Sequence, residues 1–137
     1  DNGLKENQLG LEITETAELE DRKKASKAFE LLRDNGVPLA LDDFGAGYSS
    51  LSYLRDLPIS LIKLDKNFAS TIDLVDTKEL VKFVVNISEN LNLDMLIEGI
   101  ETEEQKNIFL ELGCKRGQGY FFHRPEFLED FARNLDE

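Results

Sequence analysis

Tryptophan is absent from the 137 residues, and cysteine, methionine and histidine occur once each, as Cys114, Met95 and His123. A lone cysteine cannot close an internal disulfide. This excludes the disulfide-stapled class and fits a reducing, cytoplasmic compartment. Cys114 reads as a buried structural thiol rather than a reactive one. One histidine and one cysteine do not make a zinc site of the usual ligands, and His123 reads as an ordinary loop residue. Three prolines and nine glycines are too few for collagen-like or low-complexity chains. No run approaches the ~20 apolar residues of a membrane span, and no secretory leader is visible. Direct membrane insertion of this segment is therefore not expected, and any anchor of the parent protein would lie outside it. Basic residues are also scarce: 16 Lys and Arg face 28 Asp and Glu, for a formal net charge of −12. That balance argues against a nucleic-acid polymer or an anionic membrane surface as partner, since both need a basic face. The sole methionine is internal and the chain opens on Asp1, so the sequence reads as a processed or excised piece of a longer product.

What is present is 41% hydrophobic and 32% charged residues, enough for one compact domain with a sizeable core. The apolar pattern alternates strand and helix throughout. Strands are expected within Gln8–Thr14 (LGLEIT), Val37–Leu41, Ser60–Leu64, Asp94–Ile100 and around Gly119-Tyr120-Phe121. Helices are expected at Ala17–Asn35, Ser49–Leu57, Thr77–Leu91, Thr102–Leu112 and Pro125–Leu135. Asn35-Gly36 reads as a C-terminal cap, and Thr102 to Gln105 as a capping box. Asp42–Tyr48 and Asp65–Asp76 read as loops. Strict alternation implies parallel strands joined by right-handed crossovers. Two architectures fit: an open parallel α/β sheet, or part of a (β/α)8 barrel. In both, chemistry gathers at the carboxyl ends of the strands.

Those ends are rich in polar groups: Glu12 and Glu15, Asp42 and Asp43, Lys63 and Asp65, Glu98 and Glu101, then Gln118. Each has a plain structural explanation by itself. Paired aspartates favour turns, a lysine can snorkel from a strand edge, and loop acids can be solvated. Gly45 and Gly47 can simply permit a tight turn, and they lack the third glycine of a dinucleotide fingerprint. Tyr48, Phe121 and Phe122 read as core or rim. The combination is harder to explain that way. Glu12, Lys63 and Glu98 lie inside apolar strands, where an unpaired polar group costs several kcal/mol. Carboxylates converging on one face repel each other unless a cation joins them. Oxygen ligands without a His cluster or a Cys pair suit Mg²⁺ or Mn²⁺. A lysine among them could lower the pKa of a bound water or stabilise charge on phosphorus. The residues therefore suggest metal-assisted chemistry on a phosphorylated ligand.

The blocks LEITE (Leu11–Glu15), DDFGAGYSSL (Asp42–Leu51), IKLDKNF (Ile62–Phe68), EGIET (Glu98–Thr102) and GQGYFFHRP (Gly117–Pro125) together resemble the EAL domain. That family comprises bacterial cyclic-di-GMP phosphodiesterases on a modified TIM (β/α)8 barrel. The resemblance runs the length of the chain. It implies about five β/α units, the C-terminal part of such a barrel, with residues 1–137 forming a partial domain. The family's naming Glu-Ala-Leu motif and the strand carrying a metal-binding Asn are missing from this sequence. The resemblance assigns Glu12, Asp42, Asp43 and Glu98 to metal binding and Lys63, Glu98 and Gln118 to catalysis. Glu15, Gly45, Gly47 and Tyr48 would belong to a control and dimerisation loop, and Glu101 would be a second acid near the site. The implied cofactors are two Mg²⁺ or Mn²⁺ ions per intact site. The implied reaction is hydrolysis of cyclic-di-GMP to linear pGpG in second-messenger signalling. Implied partners are cyclic-di-GMP, a second copy in a homodimer or other self-association, and upstream sensor or GGDEF-type domains.

Two other readings compete. One is a noncatalytic cyclic-di-GMP receptor or protein-interaction module, against which the intact set of acids and Lys63 counts. The other is an unrelated open-sheet metal phosphatase, which does not explain the five blocks. The 137 residues by themselves are expected to be inactive, because two of the family's metal-binding residues are missing and sheet edges are left unpaired.

Overall fold

The structure, a computed structural model, describes residues 8–14, 22–46 and 51–134. Five parallel strands form one sheet: β1 (Leu11–Thr14), β2 (Leu39–Phe44), β3 (Leu61–Leu64), β4 (Asp94–Ile97) and β5 (Arg116–Gly117). Helices α1 (Arg22–Asp34), α2 (Leu51–Asp56), α3 (Lys66–Ser70), α4 (Val75–Leu91) and α5 (Glu103–Glu111) fill the connections, and α6 (Leu128–Asn134) follows β5. The spatial order is β1-β2-β3-β4-β5, the order of the chain. A doubly wound sheet reverses direction at a switch point, and this one does not. Right-handed crossovers that always step the same way put the helices on one face. The result is an open arc of barrel type, its helix-free face inward.

Strand alternation sorts the side chains between those faces. Leu39 and Leu41, Ile62 and Leu64, Met95 and Ile97 join one buried cluster with Val81, Val84 and Val85 of α4 and Phe109 of α5. Full burial of each such side chain stabilises by about 1.5–3 kcal/mol. The intervening positions, Glu12, Ala40, Asp42, Lys63 and Glu98, fall on the other face. Cys114 lies in the cluster at 4% exposure, and burial pushes its thiol up to about 12. It is the structural thiol its surroundings require.

The observed elements depart from the sequence pattern in four places. β2 runs through Asp42-Asp43-Phe44, expected as loop, because β1 and β3 both supply pairing partners there (Thr14↔Asp42 and Phe44↔Leu64). Tertiary pairing outweighs the weak strand preference of Asp. Second, α3 occupies part of the expected 65–76 loop. Asp65 starts it as a cap, its side chain accepting from Asn67 N at 2.9 Å. Third, the last strand is Arg116–Gly117, not the aromatic run around Gly119. A Cβ on Gly119 would meet the backbone of Ile100, so the chain turns there instead. Fourth, α6 begins at Leu128 rather than Pro125, the Phe127 carbonyl accepting from Asp130 and Phe131 N at 3.0 Å each. The first expected helix is observed from Arg22, and residues 15–21 and 47–50 lie outside the described part.

The caps at the Asn35-Gly36 and Thr102 signatures form as the sequence indicates. Gly36 takes φ 73°, and Val37 N donates to Leu32 O at 3.0 Å. At α5, Gln105 N donates to Thr102 Oγ1 at 3.2 Å, and Gln105 Oε1 accepts from Thr102 N at 3.1 Å. Thr102→Ala is expected to cost about 1 kcal/mol through loss of this cap. In urea melts of the intact protein, the midpoint should fall while the slope stays constant. Among the described residues, no helix is long and apolar enough to cross a membrane.

Candidate active site

Lys63 projects from the middle of β3 into the inner face and is 8% exposed at its side chain. Its ammonium meets three carboxylates from three other segments: Asp42 Oδ1 at 2.8 Å, Glu12 Oε1 at 2.9 Å and Glu98 Oε1 at 2.9 Å. Burial works against the charge on Lys63. The hydrogen bonds to Asp42, Glu98 and Glu12 and the field of Glu98 outweigh that, raising it above the ordinary 10.5. Its three carboxylate partners therefore favour the ammonium form. In that form it is a hydrogen-bond donor.

Asp42, Asp43 and Glu98 form a group whose ligand oxygens lie within 4.8 Å of one another. Neighbouring residues of a regular strand point to opposite faces, so Asp42 and Asp43 should not share one. They do here because Asp43 adopts φ 54° and the β2–β3 register shifts between Leu41 and Phe44. The irregularity turns the second aspartate back towards the first. Asp42 Oδ1 is buried, and the Lys63 ammonium lies 2.8 Å from it. Three carboxylates supplying hard oxygen donors at this spacing suit a hard divalent cation.

The other expected site residues fall around this group to differing degrees. Gln118 and Glu101 join Glu98 in lining an open pocket of about 380 Å³, together with Lys66, Gly99 and Tyr120. Glu12 reaches the acidic group through Lys63 rather than by joining it. Gly45 sits at φ 91° beside Phe68, one turn beyond the aspartates. Glu15, Gly47 and Tyr48 lie outside the described residues. Lys66 and Tyr120 were not singled out from the sequence. Lys66 follows the α3 cap and packs close against Gly99, where a Cβ would stand 2.6 Å from Lys66 Cβ. No local sequence signal carries that contact.

The family model of the EAL domain matches residues 1–125. The chain belongs to the EAL domain family. Over 126 residues it is 38% identical to the probable cyclic di-GMP phosphodiesterase PdeB of Escherichia coli, covering 92% of this chain and 24% of PdeB. It spans less than a quarter of the length of the curated relatives it matches. The EAL domain of Mycobacterium smegmatis DcpA superposes with a TM-score of 0.92 at 32% identity, covering 98% of this chain and 60% of that one. Klebsiella pneumoniae BlrP1, solved as a manganese and cyclic-di-GMP complex, superposes at 0.83 with 35% identity over 90% of this chain and 32% of its own. The five-strand arc is thus an EAL-type portion of a (β/α)8 barrel, and the open doubly wound alternative is set aside.

Proposed function

We propose that this EAL sequence belongs to a metal-dependent phosphodiesterase that opens cyclic-di-GMP to linear pGpG. The observation that carries the reading is the buried Lys63 ammonium held by Glu12, Asp42 and Glu98 beside the Asp42–Asp43–Glu98 oxygen group. A receptor that only binds its ligand has no need of a buried donor among cation-suited acids. The similarity to PdeB and to BlrP1 supports the same substrate class.

In this reading Asp42, Asp43 and Glu98 would hold divalent ions, Mg²⁺ or Mn²⁺, with Glu12 completing the set, and two ions would serve one intact site. Bound ions would lower the pKa of a coordinated water and neutralise charge on the phosphate. The chain's own groups do the positioning. By exchanging one of its three carboxylate partners, Lys63 Nζ would donate to the attacking oxygen or to the oxygens of the phosphorus, where negative charge grows. Glu98 accepts the water's hydrogen. The Gln118 amide, across the pocket, orients the water or the ligand. One P–O bond forms from water, the P–O3′ bond breaks, and the leaving oxygen takes up a proton.

We also infer that residues 1–137 are the later part of the barrel, with the Glu-Ala-Leu and Asn motifs supplied elsewhere in the parent. Among the described residues β1 and β5 each pair on one side only, and a closed barrel of this class has eight strands. The 137 residues alone are then expected to lack turnover and to self-associate.

The test is to incubate the intact protein with cyclic-di-GMP and Mg²⁺ or Mn²⁺ and separate the products by chromatography. A cation-dependent pGpG peak is expected. Tight ligand binding with no product under either metal would replace this reading with the receptor.

A further inference from the structure

We propose that Phe68 is a positioning residue, the clamp that holds the Asp42–Asp43 pair on one face. The inference rests on the reading that this pair binds a cation, and it adds what keeps the pair in place.

The paired orientation depends on an uncommon backbone. Asp43 at φ 54° is a left-handed conformation that non-glycine residues seldom adopt, and Gly45 two residues later stands at φ 91°. The Asp43 carbonyl accepts from Ala46 N at 3.1 Å, which closes a tight turn straight after the strand. Such a conformation persists only where its surroundings over-determine it. The surroundings here come from α3. A Cβ built on Gly45 would fall 2.5 Å from Phe68 Cε2 and 2.7 Å from Cζ. The ring thus lies flush against the Gly45 backbone and fills the space any side chain there would need.

Phe68 is itself anchored. Its N–H donates to Asp65 O at 3.0 Å within the capped turn, and Asp65 N donates to Phe44 O at 3.3 Å. The next residue, Ala69, is fully buried, and its carbonyl accepts from Gln105 Nε2 at 2.9 Å, which fixes α3 to the start of α5. A chain of contacts therefore runs from α5 through α3 and the Phe68 ring to the turn that shapes Asp43. The Phe68 ring is apolar and stands outside the acidic group, so it acts only through the loop.

The intact protein carrying Phe68→Ala, Gly45→Ala, both, or Phe109→Leu as a core control tests this. Two readouts are taken: the Mn²⁺ dissociation constant from titration of the free ion by electron paramagnetic resonance, and amide hydrogen exchange of the peptide holding Ala46 in the metal-free protein. Phe68→Ala is expected to weaken Mn²⁺ at least ~10-fold, the usual effect of losing a group that orients a ligand, and to speed exchange at Ala46. Gly45→Ala should do the same, by straining a backbone at φ 91° and by pushing on the ring, and only the second part should shrink in the Phe68→Ala background. Phe109→Leu should lower the unfolding midpoint while changing neither readout. Phe68→Leu, which keeps an apolar side chain and removes the ring, carries the comparison if the Phe68→Ala variant does not fold. Unchanged exchange at Ala46 and unchanged Mn²⁺ affinity in either loop variant would overturn the clamp and leave Phe68 as plain core. A parent that binds no Mn²⁺ would instead remove the cation reading, and the exchange measurement would still decide the clamp.

Discussion

Lys63→Ala in the intact protein should lower cyclic-di-GMP turnover by about 10²–10³-fold, the loss typical of removing one donor at a developing charge. It should also destabilise the fold by about 3–5 kcal/mol, because the carboxylates it leaves behind remain buried without a partner. Asp42 and Glu98 carry most of that cost at 18% side-chain exposure each; Glu12, at 53%, is largely screened by water. The pH dependence follows from the direction of the lysine's shift. Its pKa is raised on folding, so its contribution is complete below its unfolded value near 10.5 and disappears only as pH climbs through the higher folded value. At neutral pH the lysine's own contribution is therefore complete. Added Mn²⁺ should recover part of the lost stability, a divalent ion taking over the missing positive charge. Urea melts at two pH values with and without Mn²⁺, alongside the product assay, measure all of this. Undiminished turnover would make Lys63 a structural counter-ion and remove the proposed mechanism.

Asp43→Asn should separate charge from backbone. Asparagine tolerates the left-handed conformation nearly as well as aspartate, so the unfolding midpoint should scarcely move. The cation site, however, loses an anionic oxygen. Mn²⁺ affinity and turnover are each expected to fall about 10–100-fold. Asp43→Val should lose the same affinity and in addition about 1–2 kcal/mol of stability, since a β-branched residue cannot hold φ 54° without strain. Isothermal titration and thermal melts of the two variants side by side read the difference. Equal Mn²⁺ affinity in wild type and Asp43→Asn would take Asp43 out of the site.

The parallel strands and the gathering of acids with Lys63 on one face were legible from periodicity, whereas the barrel came from the family resemblance. Strand–helix alternation implies parallel strands, and the polar interruptions at Glu12, Lys63 and Glu98 mark one face. The bulge was not legible. Asp42-Asp43 reads locally as a turn, and only pairing with strands on both sides, distant in sequence, extends β2 across it. The α3 helix was hidden for the opposite reason. It is five residues long, too short for an apolar stripe, and its sole signal is the Asp65 cap. The short β5 was displaced from the aromatic run by a close approach of Gly119 to Ile100, a contact between segments that no window of sequence contains. The Lys66–Gly99 contact escaped for the same reason.

The strict chain-order stacking of the strands has a consequence for cooperativity. Each β/α unit touches chiefly its sequence neighbour, so the arc is close to one-dimensional, as in repeat proteins, and such a stack can fray from an end. One atom, Lys63 Nζ, breaks that pattern by tying β1, β2 and the end of β4 to β3 at once. The same ammonium that suits the site for chemistry thereby couples β2 to the end of β4 through half-buried pairs, and β1 more weakly through the exposed Glu12.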